Sequence, residues 1–184
     1  MSYDLSEHRH RFAVWAAARA SQRGFTTVEN LRDALQATDI RKVLSAPQTL
    51  QLSAGEFDAL HRRWCSSICS SLRQRGIAKV TYGRAAKLIA VYLKATVIMS
   101  DGCNSSLGRN LYPPIDRILL HGLASSDRIT SPHKAAWRLI NWTQLDEPGY
   151  NQLIGQLKGA ISDDAPFWTI EEYWEPSDTG DDAP

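Results

Sequence analysis

Apolar residues recur every three or four positions through most of the chain, which is the signature of helices packed on one face. In residues 5–23, Phe12, Trp15, Ala16 and Ala20 share a helical face, and Gly24 is a natural stop. Thr26 or Thr27 caps a second helix over 28–35, and residues 38–54, with Pro47, read as a short helix and loop. Phe57, Leu60, Trp64, Ile68 and Leu72 predict a helix over 55–75 that Gly76 ends, followed by a connector over 77–82. Gly83 opens a helix that runs to about residue 98, and a polar loop covers 100–110. Pro113 and Pro114 then fix the entry to a helix over 115–123, since a first-turn proline gives up no helical hydrogen bond. Further helices are expected over 131–141, with Trp137 and Ile140, and over 146–161, with Tyr150, Leu153, Ile154 and Leu157. An apolar cluster over 166–174 is expected to dock back on the core. No segment alternates β-branched and polar residues and no stretch repeats, so the pattern predicts an all-α fold.

Composition adds bounds. With 184 residues the chain suits one domain, over 1–175, followed by an acidic tail, 176–184. No apolar run approaches the roughly 20 residues of a membrane span. The first eleven residues are polar and charged, unlike a secretory leader, which predicts a cytoplasmic protein. Three cysteines, two of them four apart at Cys65 and Cys69, read as reduced packing residues. His8 and His10 stand two apart and point away from each other on a helix, so they make a poor metal pair, and no metal or cofactor is expected. The net charge of +1 hides an asymmetry: all 21 Lys and Arg lie in residues 1–162 with only 12 acids, while 163–184 carry the other eight acids. A basic body suits a polyanion, and an ordinary mixed surface remains the alternative.

The chain has no phosphate-binding loop, nucleophile elbow, Cys-x-x-Cys or His-Glu-x-x-His. Two features carry candidate chemistry. At Gly83 a helix starts without a Cβ, so its free amides and dipole favour an anion, reinforced by Lys79, Arg84 and Lys87. Asp116 follows two prolines among Ile115, Ile118, Leu119 and Leu120, where partial burial strengthens its field on a developing positive charge. An aspartate near a helix start is a routine cap, and on the residues alone that is the favoured reading of Asp116. His61, Arg62 and Arg63 read as a solvated face with phosphate contact as the alternative.

The order helix, Gly83-Arg84-Ala85-Ala86-Lys87, loop, Pro114-Ile115-Asp116-Arg117-Ile118-Leu119 resembles the helix-hairpin-helix superfamily of DNA glycosylases. The Tyr150 helix and the closing Trp168-Thr169-Ile170-Glu171-Glu172-Tyr173-Trp174 are similar to its bacterial 8-oxoguanine-glycosylase-like branch. The resemblance covers about residues 55–175. It implies a compact helical glycosylase fold, Asp116 as the catalytic carboxylate, and Thr81, Tyr82, Gly83, Arg84 and Lys87 on the DNA backbone. Trp15, Trp64, Tyr112, Trp137 and Trp142 are the aromatics offered for a base pocket. The expected partner is double-stranded DNA with a flipped base, bound by a monomer. The target is a damaged base or, alternatively, a bulky modified base of bacteriophage DNA.

Thr81 stands where the family hairpin has its first glycine, and Ala85 where bifunctional members have a Schiff-base lysine. Lys87 lies about 200° further around the helix from Ala85, which predicts a monofunctional enzyme. The sequence leaves open whether Lys87 or Lys94 supplies lyase activity. A non-catalytic helical DNA-binding module and a helical protein-interaction domain are the competing readings.

Overall fold

One helix, α5 (Tyr82–Leu93), sits inside the others: every residue but Val91 is buried. Apart from Arg84 and Lys87 the helix is apolar on all sides, as a core element is, and Ala85, Ala86 and Ala90 let its neighbours approach closely. The computed structural model describes residues 3–22, 24–45, 51–161 and 165–176. Arg23, Pro47, Asp163, Asp164 and the tail beyond Pro176 lie outside the described residues.

Around α5 stand α1 (Leu5–Gln22), α2 (Val28–Gln36) and the short α3 (Ile40–Val43), then α4 (Ala54–Gln74). α5 continues into a π-helical turn, Lys94–Ile98, and is followed by α6 (Ser106–Asn110), α7 (Arg117–Ser125), α8 (Lys134–Trp137) and α9 (Glu147–Lys158). Two 3-10 segments, Trp142–Gln144 and Phe167–Tyr173, complete an all-α domain with no strand among the described residues. No helix of the described residues is long and apolar enough to cross a membrane.

Local chemistry explains the ends. Ser53 and Glu56 form a reciprocal capping box at the start of α4. At its end Gly76 takes φ 76°, so its own amide returns to Arg73 O and that of Ile77 to Leu72 O, the two bonds of a Schellman stop. Thr27, of the two threonines expected, caps α2. His10 near the start of α1 meets Tyr92 near the end of α5, while Phe25 just past α1 lies under Arg84 at the start of α5. The two helices therefore run antiparallel.

Several elements depart from the sequence pattern. α1 turns Ala13, Val14, Ala17 and Ala18 to the core and leaves Phe12 and Trp15 outside, because close packing on α5 needs small side chains. The loop over 100–110 contains α6, whose Gly108 lies so near the Gly102 carbonyl that a Cβ would sit 2.3 Å from it. Only four residues of 131–141 are α-helical, those of α8. His61, read as polar surface, is 2% exposed, whereas Arg62 and Arg63 stay outside, paired with Glu147 and Asp39.

Candidate functional site

A side chain from the middle of α5 meets the start of α7 inside the molecule. Pro113, Pro114 and Ile115 are all buried and deliver Asp116 as the N-cap of α7, where Oδ1 accepts from the Leu119 amide at 3.0 Å. The other oxygen, Oδ2, accepts from Lys87 Nζ at 2.9 Å and from Trp174 Nε1 at 3.1 Å. The side chains of Lys87 and Asp116 are 5% and 6% exposed. The Lys87 ammonium also stands 4.5 Å over the Trp142 ring. Asp116 is thus both a cap and one half of a buried ion pair. Desolvating two such charges costs several kcal/mol per ion, and good geometry with additional hydrogen bonds offsets that cost.

A second pair lies beside the first. Lys94, two helical turns beyond Lys87 and on the same side of the helix, pairs with Glu171 of the 3-10 segment Phe167–Tyr173. Burial pushes the Glu171 carboxyl up; the Lys94 hydrogen bond and charge oppose this, and the nearby charge of Asp116 adds to it. Glu171 and Trp174 are three residues apart, one 3-10 turn, so a single short segment touches both lysine–acid pairs. That segment is anchored by buried Phe167 and Ile170 and by Gly122, where a Cβ would lie 2.0 Å from the Tyr173 carbonyl oxygen. Trp174 itself is 41% exposed, so its indole stands between Asp116 and the surface.

The backbone-binding expectation meets a different geometry. The Gly83 amide donates to Leu145 O at 3.0 Å, and a Cβ on Gly83 would lie 2.2 Å from Trp142 O. Its missing side chain admits the 142–145 turn, not a phosphate. The Arg84 amide donates to Thr81 Oγ1, whose hydroxyl donates to Thr143 O. Tyr82 is buried, and Lys87 points at Asp116 rather than outward. Arg84 is buried as well, with its guanidinium 4.2 Å over the Phe25 ring. A cleft of about 340 Å3 does open at this end of α5, lined by Cys69, Arg73, Thr81, Tyr82, Asp146 and Glu147 among others, and it does not include Asp116.

The five aromatics offered for a base pocket are dispersed. Trp15 is on the outer face of α1. Trp64 and Trp137 are fully buried, donating to Asp39 and Gln156. Tyr112 bonds Asp58 and packs against Phe57, His61 and Phe167. Trp142 alone lies at the Lys87–Asp116 pair. The sequence reading missed Trp174, Glu171 and the pairing role of Lys94. Their available signals were the seven-residue spacing of the two lysines and the three-residue spacing of Glu171 and Trp174.

Among the described residues no group of three or more His, Cys, Asp or Glu is placed to hold a metal ion, and the three cysteines are free thiols. Comparison with protein-family models, with curated proteins and with solved structures finds no match.

Proposed function

We propose that the protein is a monofunctional DNA glycosylase that breaks the N-glycosidic bond of a flipped, damaged or modified base, with Asp116 as its catalytic carboxylate. The observation that carries the reading is the meeting of Asp116, delivered by Pro113 and Pro114, with Lys87 of α5 under the indole of Trp174. The order of α4, α5 and the proline-braced aspartate is also the part of the chain that resembles the helix-hairpin-helix glycosylases.

In this reading the basic body binds the duplex, and the target nucleotide turns out of the stack. Trp174 moves off Asp116 to admit the sugar. As the C1′–N bond lengthens, the electron pair leaves with the base and positive charge develops on the sugar. The Asp116 carboxylate, held in a low-dielectric setting, stabilises that charge. Water then adds to C1′, its proton passes to the departing base, and an abasic site remains. Lys87 is engaged by the Asp116 carboxylate and so serves as a charge partner, not as a nucleophile.

The test is alkali-labile cleavage of duplexes carrying candidate damaged or modified bases. Wild type releases the base, while Asp116→Asn, checked for folding by circular dichroism, binds the duplex but leaves it intact. Equal release by the variant overturns the assignment, and a borohydride-trapped covalent adduct overturns the monofunctional mechanism. A second reading, a non-catalytic helical DNA-binding module, is favoured by one observation: the cap and the ion pair already account for Asp116 structurally. It predicts salt-sensitive DNA binding with no abasic product on any substrate.

A further inference from the structure

α1 carries large side chains on the face that the core does not use. Leu5, Phe12 and Trp15 are 58%, 54% and 55% exposed, and the Phe12 and Trp15 rings touch, with centroids 6.0 Å apart at 38°. At 100° per residue, positions 5, 8, 9, 12, 15 and 19 of α1 fall within an arc of about 120°. That arc holds Leu5, His8, Arg9, Phe12, Trp15 and Arg19, all exposed, with half-buried Ala16 among them and no acid. Glu7 lies outside it, with its carboxylate engaged by Arg11 and Arg41. Among the described residues neither Arg9 nor Arg19 forms an ion pair. Two aromatic rings therefore stand at the centre of the face, with an unpaired cation toward each end.

We infer that the outer face of α1 is a binding surface for single-stranded nucleic acid, with Phe12 and Trp15 stacking on bases and Arg9 and Arg19 holding the backbone. The charge is complementary: an acid-free, cationic face on a body whose first 162 residues contain all 21 basic side chains and only 12 acids. The ten steps from Arg9 to Arg19 rise about 15 Å. At roughly 3.4 Å per stacked nucleotide, that is a footprint of about four nucleotides. Aromatic platforms flanked by cations are the general solution for an unpaired strand, because every base offers a π-face. A peptide helix fits less well, since such partners lie in grooves and this face is a ridge. A membrane surface fits less well too. An interfacial helix separates its cations from its aromatics on opposite faces, whereas here both share one face and the opposite face is spent on α5.

The experiment measures anisotropy of a labelled twelve-nucleotide oligothymidylate at low salt with the full chain. Phe12→Ala/Trp15→Ala is expected to weaken binding about tenfold or more and to leave the unfolding midpoint in place, because both rings are outside the core. Arg9→Ala/Arg19→Ala is expected to reduce the slope of log affinity against log salt by about 1.4. Binding equal to wild type in both double variants overturns the proposal, as does failure of wild type to bind the oligonucleotide. Binding confined to phosphatidylserine vesicles, or self-association in sedimentation that the ring variant abolishes with oligonucleotide binding unchanged, overturns it in favour of a lipid surface or a second copy. The oligothymidylate carries no modified base and the readout is binding alone, so loss of the glycosylase reading leaves this measurement standing.

Discussion

Two of the buried polar centres of the molecule are treated in opposite ways. At Asp116 it keeps both charges, bringing Lys87 from α5 and the Trp174 indole from the end of the described chain to one carboxylate oxygen. At His61 it keeps none. That imidazole is stacked 5.7 Å from Tyr150 and ringed by Phe57, Tyr82 and Tyr112, and both ring nitrogens lie 3.8 Å from the Cys65 thiol. Burial pushes its pKa down from 6.5 to about 4, against the opposing charge of Asp58 and with a small further push from Lys158. A buried pair of opposite charges retains its field, whereas a buried imidazole with no matched counter-ion becomes neutral. Of the two, the Asp116 centre is therefore the one that holds fixed charge. The His61 centre, for all its aromatic rings, is core.

The sharpest way to break this contrast is to remove one charge from the paired site. Asp116→Asn leaves the Lys87 ammonium buried without its carboxylate and is expected to cost about 3–5 kcal/mol in urea denaturation. Lys87→Met/Asp116→Leu, which removes both charges, is expected to recover most of that loss. A double variant as unstable as the single one would mean that the pair is not the source of the cost.

At the neutral site the lever is pH. In the folded chain His61 resists a proton until about pH 4, while in the unfolded chain it takes one near its ordinary value of 6.5. The unfolded state thus binds more protons in that window. The stability contributed is complete above pH 6.5 and lost as pH falls toward 4. At 1.36 kcal/mol per unit the loss amounts to about 3 kcal/mol. His61→Leu is expected to lack this component of the acid-unfolding profile, and matching profiles in the two proteins would contradict the assignment.

The helices were legible because their cause is periodic. Phe57, Trp64, Ile68 and Leu72 lie where α4 needs them, and all four are buried. The face of α1 was not, since hydrophobic weight favours Phe12 and Trp15, whereas the close approach of α5 selects Ala13, Ala17 and Ala18. At the site, Asp116 as a cap was readable from its two prolines, and Lys87 was in view as a cation. Their pairing joins positions 29 apart in sequence, and local pattern carries no signal of that distance. Gly83 shows the same limit. Its lack of a side chain was legible as a need for close approach, but what approaches is the Trp142 carbonyl. Gly83→Ala is accordingly expected to push the 142–145 turn outward and cost about 1–3 kcal/mol, as overpacking does. A thermal midpoint equal to wild type would show that the turn yields freely.

The smallest expected effect tests the contact between the paired site and the surface. Trp174→Phe keeps most of the ring and removes the indole donor, so Asp116 Oδ2 loses one of its two partners while Lys87 stays in place. Hydrogen bonds to charged groups contribute about 1.5–3 kcal/mol. With Trp174 41% exposed, water replaces part of the lost bond, and the net cost is expected near 1 kcal/mol. Lys87 reports on the same change more directly. In wild type its amine is sealed, with a side chain 5% exposed, and is expected to resist reductive methylation. In Trp174→Phe, and more so in Trp174→Ala, the rate at Lys87 is expected to rise relative to exposed Lys79, read by peptide mass spectrometry. An unchanged ratio in the alanine variant would mean that the indole is not the cover of the pair, and that approach to Asp116 lies on another side.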